Sequence, residues 1–121
     1  MKIALSEEAS NAILDALADM LNGGSIELLS DNRVLAILRL SDPATLRAEN
    51  ARLEFLDIAS EDAAIAQGTV TMARIMGGNG SEIFSCDVGT EDSDAVIKFK
   101  GTTKVYRGQP VQLDSFQLAM P

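Results

Sequence analysis

The stretch GGNGSEIFSCDVGTEDSD, Gly77 to Asp94, has a glycine cluster at one end and a knot of acids at the other. A phosphate cradle would set its glycines between a strand and a helix, so that the amides converge on an anion. Here the residues before the glycines, TVTMARIM (Thr69–Met76), alternate Val70, Met72 and Arg74 against Thr71, Ala73 and Ile75. Those after them, SEIFSCDV (Ser81–Val88), alternate Ile83, Ser85 and Asp87 against Phe84, Cys86 and Val88. No Walker lysine or threonine follows Gly80. The pattern predicts two strands joined by a hairpin turn.

Further strands flank this hairpin on both sides. SIELLS (Ser25–Ser30), a turn at SDNR (Ser30–Arg33) and VLAILRLS (Val34–Ser41) read as a second hairpin. Pro43 marks a boundary after it. ATLRAEN (Ala44–Asn50) reads equally as a helical turn or an extended excursion. RLEFLDI (Arg52–Ile58) is a third strand, and AVIKFK, TTKVY and VQLDSFQLAM (Val111–Met120) supply the rest. The apolar phase of the last strand slips near Ser115, which predicts a bulge or a change of face.

Ahead of the strands stands one helix. Ser6 is its N-cap, Glu7 and Glu8 suit the positive end of the dipole, and Gly23 and Gly24 stop it. Ala9, Ile13, Leu17 and Met20 or Leu21 recur at helical spacing as a face that needs a partner, with Asp15 and Asp19 elsewhere. Small Ala12 and Ala16 suggest a close neighbour. The expected fold is therefore mainly β: an antiparallel β-sandwich or jelly roll with one N-terminal α-helix. It is read as a single domain over 1–121, with the helix at about 6–22 and the β-rich body at about 25–120.

Composition limits the functions open to such a module. The 121 residues are 46% hydrophobic but only 4% aromatic, without Trp, and the net charge is −8. This surface repels nucleic acid and anionic lipid, so neither is expected as a direct partner. No stretch is apolar enough to cross a membrane as a helix, and MKIALSEEAS does not read as a signal peptide. The chain has no His and one Cys, Cys86, which favours a reducing compartment or a surface protein that needs no disulfide. Without His, neither Cys86 nor Ser85, Thr90 or Ser93 has its usual base, so no catalytic residue and no cofactor are expected. Asp87, Glu91, Asp92 and Asp94 are the candidates for an oxygen-rich calcium loop, with a solvated acidic face as the favoured alternative. Ile13, Leu17, Met20, Phe116 and Met120 are the candidates for an oligomer interface, since the helix and the ragged last strand are peripheral and partly apolar.

Taken in order, several segments resemble a family of small structural proteins encoded by tailed bacteriophages and prophages. The opening LSEEASNAILDALADMLNGGSIELLSDNR (Leu5–Arg33) carries Asn11, Ala12, Leu14, Asp15, Leu17, Gly23, Gly24, Ile26, Glu27 and Leu28 at the family's positions. LAILRLSDPA (Leu35–Ala44), AIAQGTVTMARI (Ala64–Ile75), DVGTEDSDAVI (Asp87–Ile97) and GQPVQLDSFQL (Gly108–Leu118) follow in register. The chain departs from the pattern at Met72 and Ala73, where an aromatic is common, and at Gly77–Gly80, where a D-S-D-G-like turn is common. The resemblance implies a non-enzymatic particle component, either a capsid decoration or stabilising protein or a small tail or head–tail connector part. It also implies a homo-oligomer, contacts with other phage structural proteins, and a location in the virion after assembly in the host cytoplasm. Beside it stands a calcium- or carbohydrate-binding β-sandwich module, disfavoured by the lack of aromatic platforms around the single Tyr106.

Overall fold

The structure, a computed structural model, describes residues 5–56, 58–59, 63–99, 101–113 and 115–119. It is mainly β with one N-terminal helix, in a large mixed sheet consistent with a β-sandwich. The helix α1 spans Glu7–Leu21, and the Ala9 N–H donates to the Ser6 side chain at 3.1 Å, so the expected N-cap forms.

The strands are β1 (Ser25–Ser30), β2 (Arg33–Arg39), β3 (Arg52–Glu54), β4 (Gly68–Thr69), β5 (Met72–Met76), β6 (Glu82–Thr90), β7 (Ile97–Phe99), β8 (Lys104–Val105) and β9 (Ser115–Ala119). Seven lie in the order β2-β1-β5-β6-β7-β9-β3, and β4 pairs β8 separately. All pairs are antiparallel except β6 with β7, so the sheet is mixed rather than purely antiparallel. The pivot is β6. Its first part, Glu82–Asp87, pairs with β5, and its second, Val88–Thr90, pairs with β7.

The period-two pattern sets the core. Ile26, Leu28, Leu35, Ala36, Leu38, Ala73 and Ile75 are buried from β1, β2 and β5, and Ile97, Phe99 and Phe116 join them. A smaller cluster of Leu14, Ala18, Ala48 and Leu53 sits beneath the helix, and Leu118 touches both clusters. On the outer face, Arg74 of β5 pairs with Glu27 of β1 at 2.6 Å and reaches Glu82 of β6 at 3.7 Å, tying three strands together.

The glycine cluster forms the expected β5–β6 hairpin turn, and it also closes the C-terminus of the helix. A Cβ on Gly78 would strike the Asn22 carbonyl, and one on Gly24 would strike the Met76 carbonyl. Only glycine permits this backbone-to-backbone approach. Through it the Gly78 N–H reaches the Met20 carbonyl at 3.3 Å, satisfying an otherwise open end of the helix.

The helix is rotated from the expected face. Its buried stripe is Ser10, Leu14, Ala18 and Leu21, with Leu17 half-buried against the core. Ile13 and Met20 are exposed, and so are Ala12 and Ala16, where the expected close neighbour does not pack among the described residues. The sequence holds two apolar stripes side by side, and periodicity alone does not rank them.

Candidate functional site

The surroundings of α1 hold most of the unusual chemistry. The ambiguous segment Ala44–Asn50 is extended, and it runs between the helix and β3. It bridges at Thr45 to Phe55 and at Glu49 to Arg52. Glu49 and Arg52 exchange two backbone hydrogen bonds of 3.1 and 2.9 Å around Asn50 and Ala51, both at positive φ. That is a two-residue hairpin turn of the primed kind, with alanine where glycine is usual.

The other amides of this segment turn toward the helix. Asn22 Oδ1 accepts from the Ala44 N–H at 2.9 Å, Asp15 Oδ1 from Ala48 at 2.7 Å, and Asn11 Oδ1 from Ala51 at 2.9 Å. At 100° per residue these three side chains form one stripe. A polar flank of the helix is thus stitched to a backbone that has no strand partner on that side among the described residues. Arg47 also approaches Asp15, at 3.9 Å and largely in solvent, where an ion pair adds little.

On the opposite flank of the buried stripe lie Ala9, Ile13, Ala16 and Met20. Ile13 is 47% exposed and Met20 55% exposed. Leu5, exposed just before the helix, falls on the same side by helical phase. This flank is an apolar strip without a covering element among the described residues. Of the residues expected at an interface, Ile13 and Met20 are therefore on the surface, and Leu17 is at its margin.

Phe116 is not on the surface. It is 3% exposed and stacks on Phe55, with ring centroids 3.9 Å apart and planes within 3°. The expectation that it forms an interface is corrected: β9 is an inner strand between β7 and β3, so its apolar phase serves the core. Met120 lies outside the described residues.

The acids do not build a cation loop. Asp87, Glu91, Asp92 and Asp94 are exposed, and no group of three or more metal-ligating side chains gathers among the described residues. Asp87 Oδ1 accepts from the Val96 N–H at 3.1 Å, and Glu91 Oε2 accepts from Gly101 at 2.7 Å. These two carboxylates hold the backbone of the loops after β6 and β7 instead of converging. The acids' closeness in sequence does not translate into a cation-binding group among the described residues.

Cys86 is half-buried. Desolvation by burial, and then the neighbouring Asp87 charge, push its thiol up to about 12. It therefore stays protonated near neutral pH and is a poor nucleophile. The open depression lined by Leu46, Arg47, Glu49, Arg52, Glu54 and Gln117 has a volume of about 390 Å³. Its charged groups sit at an exposed rim. No helix is long and apolar enough to cross a membrane among the described residues. Compared with models of known protein families, with curated proteins and with solved structures, the chain matches none significantly.

Sequence reasoning missed the stitched flank. Its signal was present: Asn11 and Asp15, poor helix-interior residues, share one helical stripe with Asn22, the C-cap that follows the last turn. Three of them in line indicate acceptors with work to do elsewhere in the chain.

Proposed function

We propose that the protein is a non-enzymatic structural component of a tailed-phage particle, a capsid decoration or stabilising protein that works through protein–protein contacts. The observation that carries this reading is the bare apolar strip Ala9–Ile13–Ala16–Met20 on a helix otherwise fixed to its own sheet. An apolar strip held in one orientation by the rest of the fold suits repeated, identical contacts. The protonated Cys86 and the dispersed acids favour a contact role over catalysis. Second copies and other particle proteins are the partners, and assembly in the host cytoplasm precedes the virion.

The test is mass spectrometry of purified particles induced from a strain carrying the gene, with light scattering of the isolated chain over a concentration series. The reading expects the protein at a fixed copy ratio to the major shell protein. Its absence from intact particles would refute the proposal.

A further inference from the structure

We infer that the first part of β6, Glu82–Asp87, is a docking edge that takes an extended, cationic segment of a partner protein by strand addition. This holds independently of the particle reading.

The two terminal strands of the sheet, β2 and β3, are covered by the chain's own loops. On β2, the Leu35 carbonyl accepts from Ile65 and Ala66 at 2.8 and 3.3 Å, and Arg39 from Ala59 at 3.0 Å. On β3, Glu54 accepts from Leu46 at 3.1 Å, and Thr45 and Glu49 bridge to Phe55 and Arg52. Such covering is how folded proteins protect edge strands. Glu82–Asp87 differs from these terminal strands: among the described residues its backbone pairs with β5 alone, and the Val96 amide approaches only its far end, on the Asp87 side chain. It is also the least finished part of the core. Phe84 and Cys86 lie opposite buried Ile75 and Ala73, yet both are only half-buried. An added strand would take up the free amides and carbonyls and cover these two side chains.

Charge selects the occupant. Between Ser81 and Asp94 there are five acids and no Lys or Arg. Glu82 and Asp87 are exposed at the two ends of the edge, and Glu91, Asp92 and Asp94 extend the acidic run beyond it. Arg74 faces this edge from β5; Glu27 holds it at 2.6 Å, and it stands 3.7 Å from Glu82, whose side chain stays about half exposed. The Val96 N–H that binds Asp87 does not cancel its charge. A second copy would bring the same acids to the same edge, on a chain of net charge −8. A strand alternating Lys or Arg with Val or Ile would instead set its cations among these acids and its apolar side chains over Phe84 and Cys86.

The experiment uses the full isotope-labelled chain and three synthetic peptides: Lys and Val alternating, Glu and Val alternating, and the Lys–Val peptide with alternate amides N-methylated. Hydrogen exchange and chemical shifts of Ile83–Asp87 are read by NMR. The Lys–Val peptide should slow exchange of the edge amides about tenfold or more, while the other two should not. The double variant Glu82→Gln with Asp87→Asn keeps the acceptor on Val96 and should weaken binding roughly tenfold. Equal binding of the Glu–Val or N-methylated peptide, or peptide-induced protection elsewhere, would overturn the proposal. So would protection of the same amides that rises with protein concentration alone, since it would assign the edge to a second copy.

Discussion

One flank of α1 carries Asn11, Asp15 and Asn22 and is covered by the chain's own backbone; the other carries Ala9, Ile13, Ala16 and Met20 and is bare. Folded domains ordinarily do the reverse, covering apolar flanks and leaving polar ones to water. Hydrogen-bond accounting explains the covered side. Residues 44–51 pair with β3 through only some of their backbone groups, so the amides of Ala44, Ala48 and Ala51 need acceptors from another source. Three short side chains at helical spacing provide them. The apolar flank meets no such internal need, which is why the proposed contact is placed there.

The hardest test of this contrast compares neighbours in sequence. Leu14 is 2% exposed beneath the helix. Leu14→Ala should cost about 2–5 kcal/mol by transfer and cavity terms. Ile13→Ala, one position away, should stay within about 0.5 kcal/mol, as exposed substitutions do. Urea unfolding of both variants checks it. Equal losses would mean that the helix buries the Ile13 side, and the contrast would collapse.

The polar flank comes next. Asp15→Ala leaves the Ala48 N–H without its acceptor at a residue that is 5% exposed. The expected loss is about 1–3 kcal/mol, the cost of an unsatisfied buried donor. Asp15→Asn keeps an oxygen in place and should lose clearly less. A loss as large in Asp15→Asn as in Asp15→Ala would assign the effect to charge and the Arg47 pair rather than to the backbone stitch.

How far these flanks could be read beforehand follows from the range of the interactions. Ser6, the glycine stop and the Gly77–Gly80 hairpin turn were legible because each is decided within a few residues. The mainly β body with one helix followed from period-two runs between turns. The burying face of α1 was not legible, because Ile13 and Met20 lie next to Leu14, Leu17 and Leu21 in helical phase and are equally apolar. Ser10, fully buried, weighed against the correct face. Phe116 looked peripheral near the end of the chain, and only its stacking on distant Phe55 makes it core. The Ala44–Asn50 segment stayed ambiguous because its partners are helix side chains and a short edge strand, neither of which leaves a periodic trace.

A smaller effect of opposite sign sharpens the covered side. Ala51 holds φ +58° in the turn while its N–H donates to Asn11. A Cβ is unfavourable in that left-handed region, so Ala51→Gly should stabilise the fold by about 0.5–1 kcal/mol. The hydrogen bond to Asn11 survives the change, since glycine keeps the amide. The midpoint of thermal unfolding should rise by a few degrees, roughly as expected for a domain of this size. A fall would mean that the turn gains more from the alanine side chain than from relief of strain.

The smallest expected change in stability belongs to the bare side, and there the informative readout is mass. Ile13 and Met20 are the two large residues of the strip, and both are about half exposed, so replacing them with serine removes little internal packing. Ile13→Ser with Met20→Ser should leave unfolding within about 0.5–1 kcal/mol of the parent. If copies meet through this strip, the parent's mass by light scattering should rise with concentration, and the double variant should remain at the monomer mass. Both chains carry the same charge of −8 before and after the change, so repulsion between copies is held constant. A parent that stays monomeric would remove self-association from the strip and leave contact with a different protein as the form of the proposal to test. A double variant that unfolds early would contradict the exposed placement of Ile13 and Met20, and with it the contrast between the flanks.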